Sequence, residues 1–170
     1  MRSRSIITGM VGVNLALWSV LAAHGQQAPS DADQTNHRVN TTVVFVCEHG
    51  AARSVIAAAY FNQIAAERHL PYHAVARGTS PQDGLSAPTV KGLEADGMPF
   101  DRTTPQGLSE ADAGGAVRIV AFCPVPKAFS SLVRVDEHDD VPDISKDYSD
   151  ARNKIVAYVT ELIDELEQDR

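Results

Sequence analysis

Residues 43–54 read VVFVCEHGAARS, and the rest of the chain is organised around them. The run Thr41–Val46 (TTVVFV) is β-branched and apolar, with no polar alternation. That is the pattern of a strand buried on both faces, as in a parallel sheet. The strand ends on a thiol, Cys47. Glu48, His49, Gly50, Ala51 and Ala52 follow, then Arg53, Ser54 and a run with helical spacing. A strand-loop-helix turn of this kind aims loop amides and a helix N-terminus at one spot, which is an anion site. The same field favours the thiolate form of Cys47, and the Arg53 guanidinium adds a full positive charge. Ser54 is spaced to donate a hydrogen bond to the sulfur. Gly50 permits positive φ where the loop must curl, and Ala51 and Ala52 leave an anion room. Arg53 can hold two oxygens at once, which a lysine does not.

Taken alone, a cysteine at a strand end is more often a buried small hydrophobe. Here strand, glycine, arginine, serine and helix fall in the order needed to hold a tetrahedral oxyanion against a nucleophile. The loop is not of the nucleoside-triphosphate type, which closes on Gly-Lys-Ser/Thr.

Further along, Ser54–Arg68 is alanine-rich with apolar residues at helical spacing and predicts a helix. Tyr72–Ala76 reads as a second strand, and Arg77-Gly78-Thr79-Ser80-Pro81 as turn chemistry. Ala87–Asp96 predicts a helix with proline in its first turn and Gly97 just past its end. Residues 99–115 are loop-rich, with one helical turn around Ser109–Ala113. Arg118–Phe122 is a third strand, ending at Cys123, and Ser131–Val135 a fourth. Asp136–Asp147 reads as a solvated acidic loop, and Asp150–Glu167 as the closing helix. That helix carries Ile155, Val159, Leu162, Ile163 and Leu166 on one stripe. Strands alternating with helices predict an α/β fold of three layers, a parallel sheet with helices on both faces.

The chain has 170 residues and a formal net charge of −7. One domain is expected over residues 41–170, and no basic field is present to attract nucleic acid. An acidic body draws in no anion at long range, so anion affinity must be local. At the N-terminus, Arg2 and Arg4 precede a mostly apolar run, Ile6–Ala23. Ala23-His24-Gly25 offers small residues where a signal peptidase reads, so residues 1–25 are expected to be a signal peptide cleaved before Gln26. An uncleaved anchor is the alternative, disfavoured by Gly9, Gly12, Asn14 and Ser19. Residues 26–40 are polar and aperiodic, a flexible leader. The expected location is exported, periplasmic or secreted, with no membrane association after cleavage. Export makes a disulfide between the two cysteines, Cys47 and Cys123, one reading of them. Asp136, Glu137, His138, Asp139 and Asp140 lack regular ligand spacing, so neither a metal nor a cofactor is expected. His49 is read as packing or bonding locally.

The stretch VVFVCEHGAARSVIAAAYFN resembles the start of the low-molecular-weight protein tyrosine phosphatase family and of the arsenate reductases, thioredoxin-coupled, that share its fold. The likeness of His49–Ser54 is stronger to the reductase branch. RGTSP at 77–81 is similar to the family's turn after its second strand, and VPDIS at 141–145 to its late loop with a general acid. The resemblance spans residues 41–167. It implies a four-stranded parallel sheet in flavodoxin-like order 2-1-3-4. It implies Cys47 as nucleophile, residues 48–54 as oxyanion loop, Arg53 as clamp and Asp143 as general acid. The substrate implied is a phosphorylated molecule or another oxyanion. In the implied order the first and third strands are neighbours, which brings Cys123 near Cys47 as a redox partner served by an external thiol reductant. Three functions follow: a phosphomonoester hydrolase working through a phosphocysteine, an arsenate reductase, or an inactive anion-binding domain with a Cys47–Cys123 disulfide. The chain departs from the family pattern at Gly50, where asparagine is frequent, at Glu48, which sets a negative charge beside the nucleophile, and at Ile144, where proline is usual. It also lacks the aromatic residues that flank the general acid and favour phosphotyrosine, Tyr148 being the nearest.

Overall fold

The computed structural model describes residues 40–169. The expected signal peptide, and all of the expected leader except Asn40, lie outside the described residues.

The first strand, β1 (Thr42–Cys47), has no exposed surface from Val43 to Val46. Its side chains alternate between two cores, as a pleated strand requires. Val43, Phe45 and Cys47 face one, and Val44 and Val46 face the other. Helix α1 (Arg53–Glu67) follows, and its alanines 57, 58, 59 and 65 are buried. Strand β2 (His73–Gly78) and helix α2 (Ala87–Ala95), with Pro88 in its first turn, come next. A short helix α3 (Glu110–Gly115) opens on a capping box. The Ser109 hydroxyl accepts from the Asp112 amide while the Asp112 carboxylate accepts from the Ser109 amide. Then come β3 (Ala116–Ala121), a single helical turn α4 (Lys127–Ser130), β4 (Val135–Glu137) and the long α5 (Tyr148–Gln168).

The four strands are all parallel, in the order β2-β1-β3-β4. The face bearing α1, α2 and α5 holds the larger core. There Phe45 meets Phe61 edge-on at 5.8 Å and stacks on Phe122 at 6.4 Å. Ile155, Val159, Leu162, Ile163 and Leu166 of α5 are all buried in it. Ala113 of α3 lies in the smaller core on the other face, and Phe129 of α4 packs against it. The central strand thus ends with Cys47 at the carboxyl edge of a parallel sheet, where such folds bind ligands.

Four local expectations are corrected. The fourth strand lies at Val135–Glu137 rather than Ser131–Val135, because residues 131–133 form the turn that closes α4, where the Leu132 amide donates to the Phe129 carbonyl. Asp136 and Glu137 are therefore strand residues, not the start of a solvated loop. Asp136 has a structural role, since its carboxylate receives the buried guanidinium of Arg118 at 2.6 Å and that of Arg134 at 2.9 Å. The second strand runs on through Arg77 and Gly78, because Gly78 also bonds outward: its amide donates to the Gln106 carbonyl and its carbonyl accepts from Leu108. Finally, α5 begins two residues early, at Tyr148, capped by Asp147, whose carboxylate accepts from the Asp150 amide.

Candidate active site

Residues 48–54 leave β1 and turn into α1. Their carbonyls, and that of Cys47 before them, have partners in one segment. Thr79 N–H donates to the Cys47 carbonyl (3.2 Å), Ser80 to Glu48 (2.7 Å), Gln82 to His49 (3.3 Å) and Ser86 to Ala51 (3.0 Å). The segment 79–86 therefore fastens the loop by its oxygen side. Among the described residues, none of the amides of residues 48–54 donates to a protein acceptor. A row of peptide groups with its oxygens engaged and its N–H groups free is a nest for an anion. The start of α1 adds its dipole to the same spot.

Gly50 makes this curvature possible. It sits at φ +63°, and a β-carbon there would lie 2.9 Å from the Gly78 nitrogen. Reciprocally, a β-carbon on Gly78 would lie 2.7 Å from the Gly50 nitrogen. The loop and the end of β2 meet glycine to glycine, with no room for a methyl group on either side.

Cys47 is 3% exposed at the floor of this loop, and its Sγ lies 3.1 Å from the Oγ of Ser54, which is fully buried. A thiolate only accepts, so in that state the hydroxyl is the donor. Arg53 is half-buried, and one of its terminal nitrogens donates to the Phe122 carbonyl at 3.0 Å. That bond anchors the guanidinium at the end of β3 and leaves its other N–H groups for a ligand.

Asp143 stands on an exposed turn whose neighbours Val141 and Ile144 are buried, so the turn is pinned on both sides. Its carboxylate accepts from the Ser145 amide (2.9 Å) and hydroxyl (2.8 Å). These bonds hold it below the usual carboxylate range, the amide first and the hydroxyl second, with Lys146 and Arg53 adding positive field. The charge on Arg53 thus reaches Asp143 as well as the loop.

Cys123 follows β3, half-buried, with Thr79 Oγ1 3.9 Å from its sulfur. Burial pushes its thiol up. The charges of Cys47 and Glu48 push the same way, while Thr79 and Arg53 oppose them. Both cysteines are free thiols in the structure. Glu48 is exposed at the mouth. His49 bonds locally, its Nδ1 3.3 Å from the Ser80 carbonyl, which adds another tie between the loop and the 79–86 segment.

The structure sets the Cys47 sulfur against Ser54 and holds Arg53 on the Phe122 carbonyl, with Cys123 and Asp143 within electrostatic reach of that guanidinium. Sequence reading missed three contributors: Gly78, the amides of 79–86 and the Phe122 carbonyl. The glycine in Arg77-Gly78-Thr79-Ser80-Pro81 was the available signal. It was legible as a turn, but backbone groups leave no trace in side-chain chemistry.

The family model for the low molecular weight phosphotyrosine protein phosphatase matches residues 42–169. The chain belongs to this family. Among solved structures, YfkJ from Bacillus subtilis is similar with a TM-score of 0.66 and 20% identity, over 76% of this chain and 96% of that one. A low molecular weight protein tyrosine phosphatase from Streptococcus pyogenes follows at 0.60 and 16%, over 74% and 93%. A thioredoxin-dependent arsenate reductase from Corynebacterium glutamicum aligns at 0.60 and 17%, over 76% of this chain and 63% of that one. No curated protein sequence matches the chain. At these identities the structural likenesses bear on the fold, and the family includes phosphatases and reductases alike.

Proposed function

We propose that the protein is a phosphomonoester hydrolase that works through a phosphocysteine on Cys47. The observation that supports this reading is the nest: loop carbonyls fastened to residues 79–86 and, among the described residues, no protein acceptor for the amides of 48–54, in the loop that follows a buried sulfur. In the first step the Cys47 thiolate attacks phosphorus. The P–O bond to the leaving group breaks, and Asp143 gives that oxygen its proton. Loop amides and the free face of Arg53 hold the three equatorial oxygens as charge spreads over them. In the second step the Asp143 carboxylate takes a proton from water. The water oxygen attacks phosphorus, the S–P bond breaks, and inorganic phosphate leaves with the thiolate restored. Ser54 supports the sulfur as nucleophile and as leaving group.

The segment that carries Asp143, residues 141–147, holds no aromatic residue to stack on a phosphotyrosine ring. Tyr148, the aromatic residue nearest to it in sequence, is turned to another task, donating its hydroxyl to Asp96 at 2.7 Å. The proposed substrates are therefore phosphomonoesters in general. The polar leader and the basic-apolar N-terminus support action outside the cytoplasm, with a mature chain starting at Gln26. Intact-mass measurement of the exported protein tests that start.

Cys123 supports a second reading, arsenate reduction. In it, Cys47 adds to arsenate with loss of water. The Cys123 thiolate then attacks the Cys47 sulfur, two thiols give up two electrons as a disulfide, and arsenite leaves. An external thiol reductant reopens the disulfide. The raised Cys123 thiol weighs against this order of events near neutral pH.

The test is turnover of p-nitrophenyl phosphate, and of arsenate with a dithiol donor, by reduced protein. Cys47→Ser is expected to abolish phosphatase turnover, with a phosphorylated cysteine trapped in the parent enzyme on rapid acid quench. Hydrolysis surviving Cys47→Ser would overturn the reading. Arsenate turnover that depends on Cys123, without phosphatase activity, would establish the second one.

A further inference from the structure

Strand β2 is an edge of the sheet, and its outward backbone groups are almost all engaged. In its parallel register with β1, residues 73, 75, 77 and 79 bond inward, so 74, 76 and 78 point their N–H and C=O groups away from β1. Ala74 is capped by a side chain: Asn62 Oδ1 accepts from its amide at 2.7 Å and Asn62 Nδ2 donates to its carbonyl at 3.0 Å. Gly78 is capped by the segment that passes it, through Gln106 and Leu108. Between them the Ala76 carbonyl accepts from Arg77 Nη1 at 2.9 Å. The Ala76 amide is the exception, with no partner among the described residues.

That amide borders a cavity of about 360 Å³ between α1, β2 and the segment 99–106. Val55, Ala59, Leu85, Phe100 and Pro105 supply apolar walls, and Gly50 forms one end. Among the described residues, the covering segment has no backbone bond to the body of the fold from Pro99 to Pro105; it is tied beyond its two ends, by Met98 to Leu93 and by Gln106 to Gly78. The Phe100 ring is covered by the Arg102 guanidinium at 4.4 Å, and Arg102 is paired with Glu94 at 2.8 Å. An apolar cavity of about 150 Å³ is enough for benzene, and ligand sites begin at roughly 300 Å³.

We propose that this cavity is a binding site, separate from the oxyanion nest, for a small neutral and mainly apolar molecule bearing one hydrogen-bond acceptor. The acceptor takes the Ala76 N–H, and the apolar part lies against Ala59 and Phe100. Extended peptide is a poor fit, because the neighbouring edge positions are already capped and one free amide does not propagate a strand. Anions are poor candidates too: Arg77, the cation on the wall, is committed to Asp112 at 2.8 Å. Since Gly50 belongs both to this cavity and to the oxyanion loop, occupancy is felt on the back of that loop.

The test is titration of 15N-labelled protein with acetophenone, a ring with a single carbonyl acceptor, read by the Ala76 and Gly50 amide resonances. A saturable downfield shift of Ala76 is expected, with half-saturation at about 1 mM for so small a ligand. A smaller shift is expected at Gly50. Ethylbenzene, lacking the acceptor, should bind about threefold to tenfold more weakly and leave the Ala76 proton almost unmoved. Ala59→Leu, which fills the space, should remove the response; should that variant fail to fold, Phe100→Ala, which strips one wall, should weaken it at least threefold. An Ala76 resonance that does not saturate overturns the site, as does a response unchanged in the folded variants. Equal binding of ethylbenzene overturns the role given to the amide. Because none of these readouts is turnover, they stand whether or not the hydrolase reading holds.

Discussion

Two loops supply the candidate site, and they are held in opposite ways. The proposed oxyanion loop, residues 48–54, is fixed by backbone: three of its carbonyls, and that of Cys47 before it, accept from residues 79–86, its glycine touches another glycine, and Ser54 is buried. The loop of Asp143 is fixed by side chains. Val141 and Ile144 are buried on either side of the carboxylate, Asp140 takes Lys154 at 2.7 Å and the Tyr158 hydroxyl, and Tyr148 ties the start of α5 to Asp96. The contrast fits the chemistry proposed for each. An anion nest needs amides in one rigid arrangement before the substrate arrives. A proton donor must stay hydrated, ionisable and in reach of leaving groups of different shapes.

The contrast can be broken most severely at Gly50. Gly50→Ala places a β-carbon in the left-handed region and against the Gly78 backbone, costs that together come to about 2–5 kcal/mol. Thermal unfolding should show this loss, and kcat/KM for p-nitrophenyl phosphate should fall at least a hundredfold. Gly78→Ala should behave alike but lose less stability, about 1–3 kcal/mol, since overpacking alone operates there. If either variant folds and turns over normally, the backbone fixation is not what holds the nest.

Asp143→Asn should do the reverse, lowering kcat about 10²–10⁴-fold while leaving thermal stability near the parent value. The loss should be greater with phenyl phosphate than with p-nitrophenyl phosphate, because the poorer leaving group needs the proton more. An equal loss for both esters would remove Asp143 from acid catalysis.

The pH profile sharpens the same point. Ser145 holds the Asp143 carboxyl below the usual carboxylate range in the folded protein. Its protonated fraction in the free enzyme therefore falls about tenfold for each pH unit above that value, and kcat/KM for phenyl phosphate should decline toward neutral and alkaline pH. Ser145→Ala should shift the decline to higher pH, and Asp143→Asn should flatten it. The sign for stability is opposite: a carboxylate with a depressed folded pKa stabilises the fold above its unfolded pKa, and the contribution is lost as pH falls through the folded one.

The smallest effect is expected where side-chain fixation is most dispersed. Tyr148→Phe removes the hydroxyl that donates to Asp96, one of two tyrosines doing so, with Tyr60 at 2.8 Å. A loss of about 1 kcal/mol in stability and less than fivefold in kcat is predicted. Gly92→Ala should cost more, since its β-carbon would fall 2.2 Å from the Tyr148 ring and displace the start of α5. A kcat unchanged in Gly92→Ala would show that Tyr148 does not position the Asp143 loop.

Cys47, Arg53 and Ser54, the proposed nucleophile and its partners, could be placed together from sequence because they lie close in the chain: strand, loop and helix come in chain order, and local spacing alone brings those groups together. The stripe of α5 was legible for the same reason. The fourth strand was misplaced because three residues of edge strand carry no periodicity of their own; Asp136 lies there to meet Arg118, sixteen positions back from Arg134, on the neighbouring strand. The Gly50–Gly78 contact, the anchoring of Arg53 by the Phe122 carbonyl and the double tyrosine on Asp96 join residues 28, 69 and 52 positions apart.

From its sequence alone this chain was determined to be an α/β domain with a thiol delivered into a turn between strand and helix, because β-branched burial, a glycine and a helix start are local properties. Tertiary structure alone decided which way the peptide groups of that turn face. Carbonyls and amides are the same in every residue, and only the packing of residues 79–86 against the loop sets the oxygens on one side and leaves the N–H groups on the other.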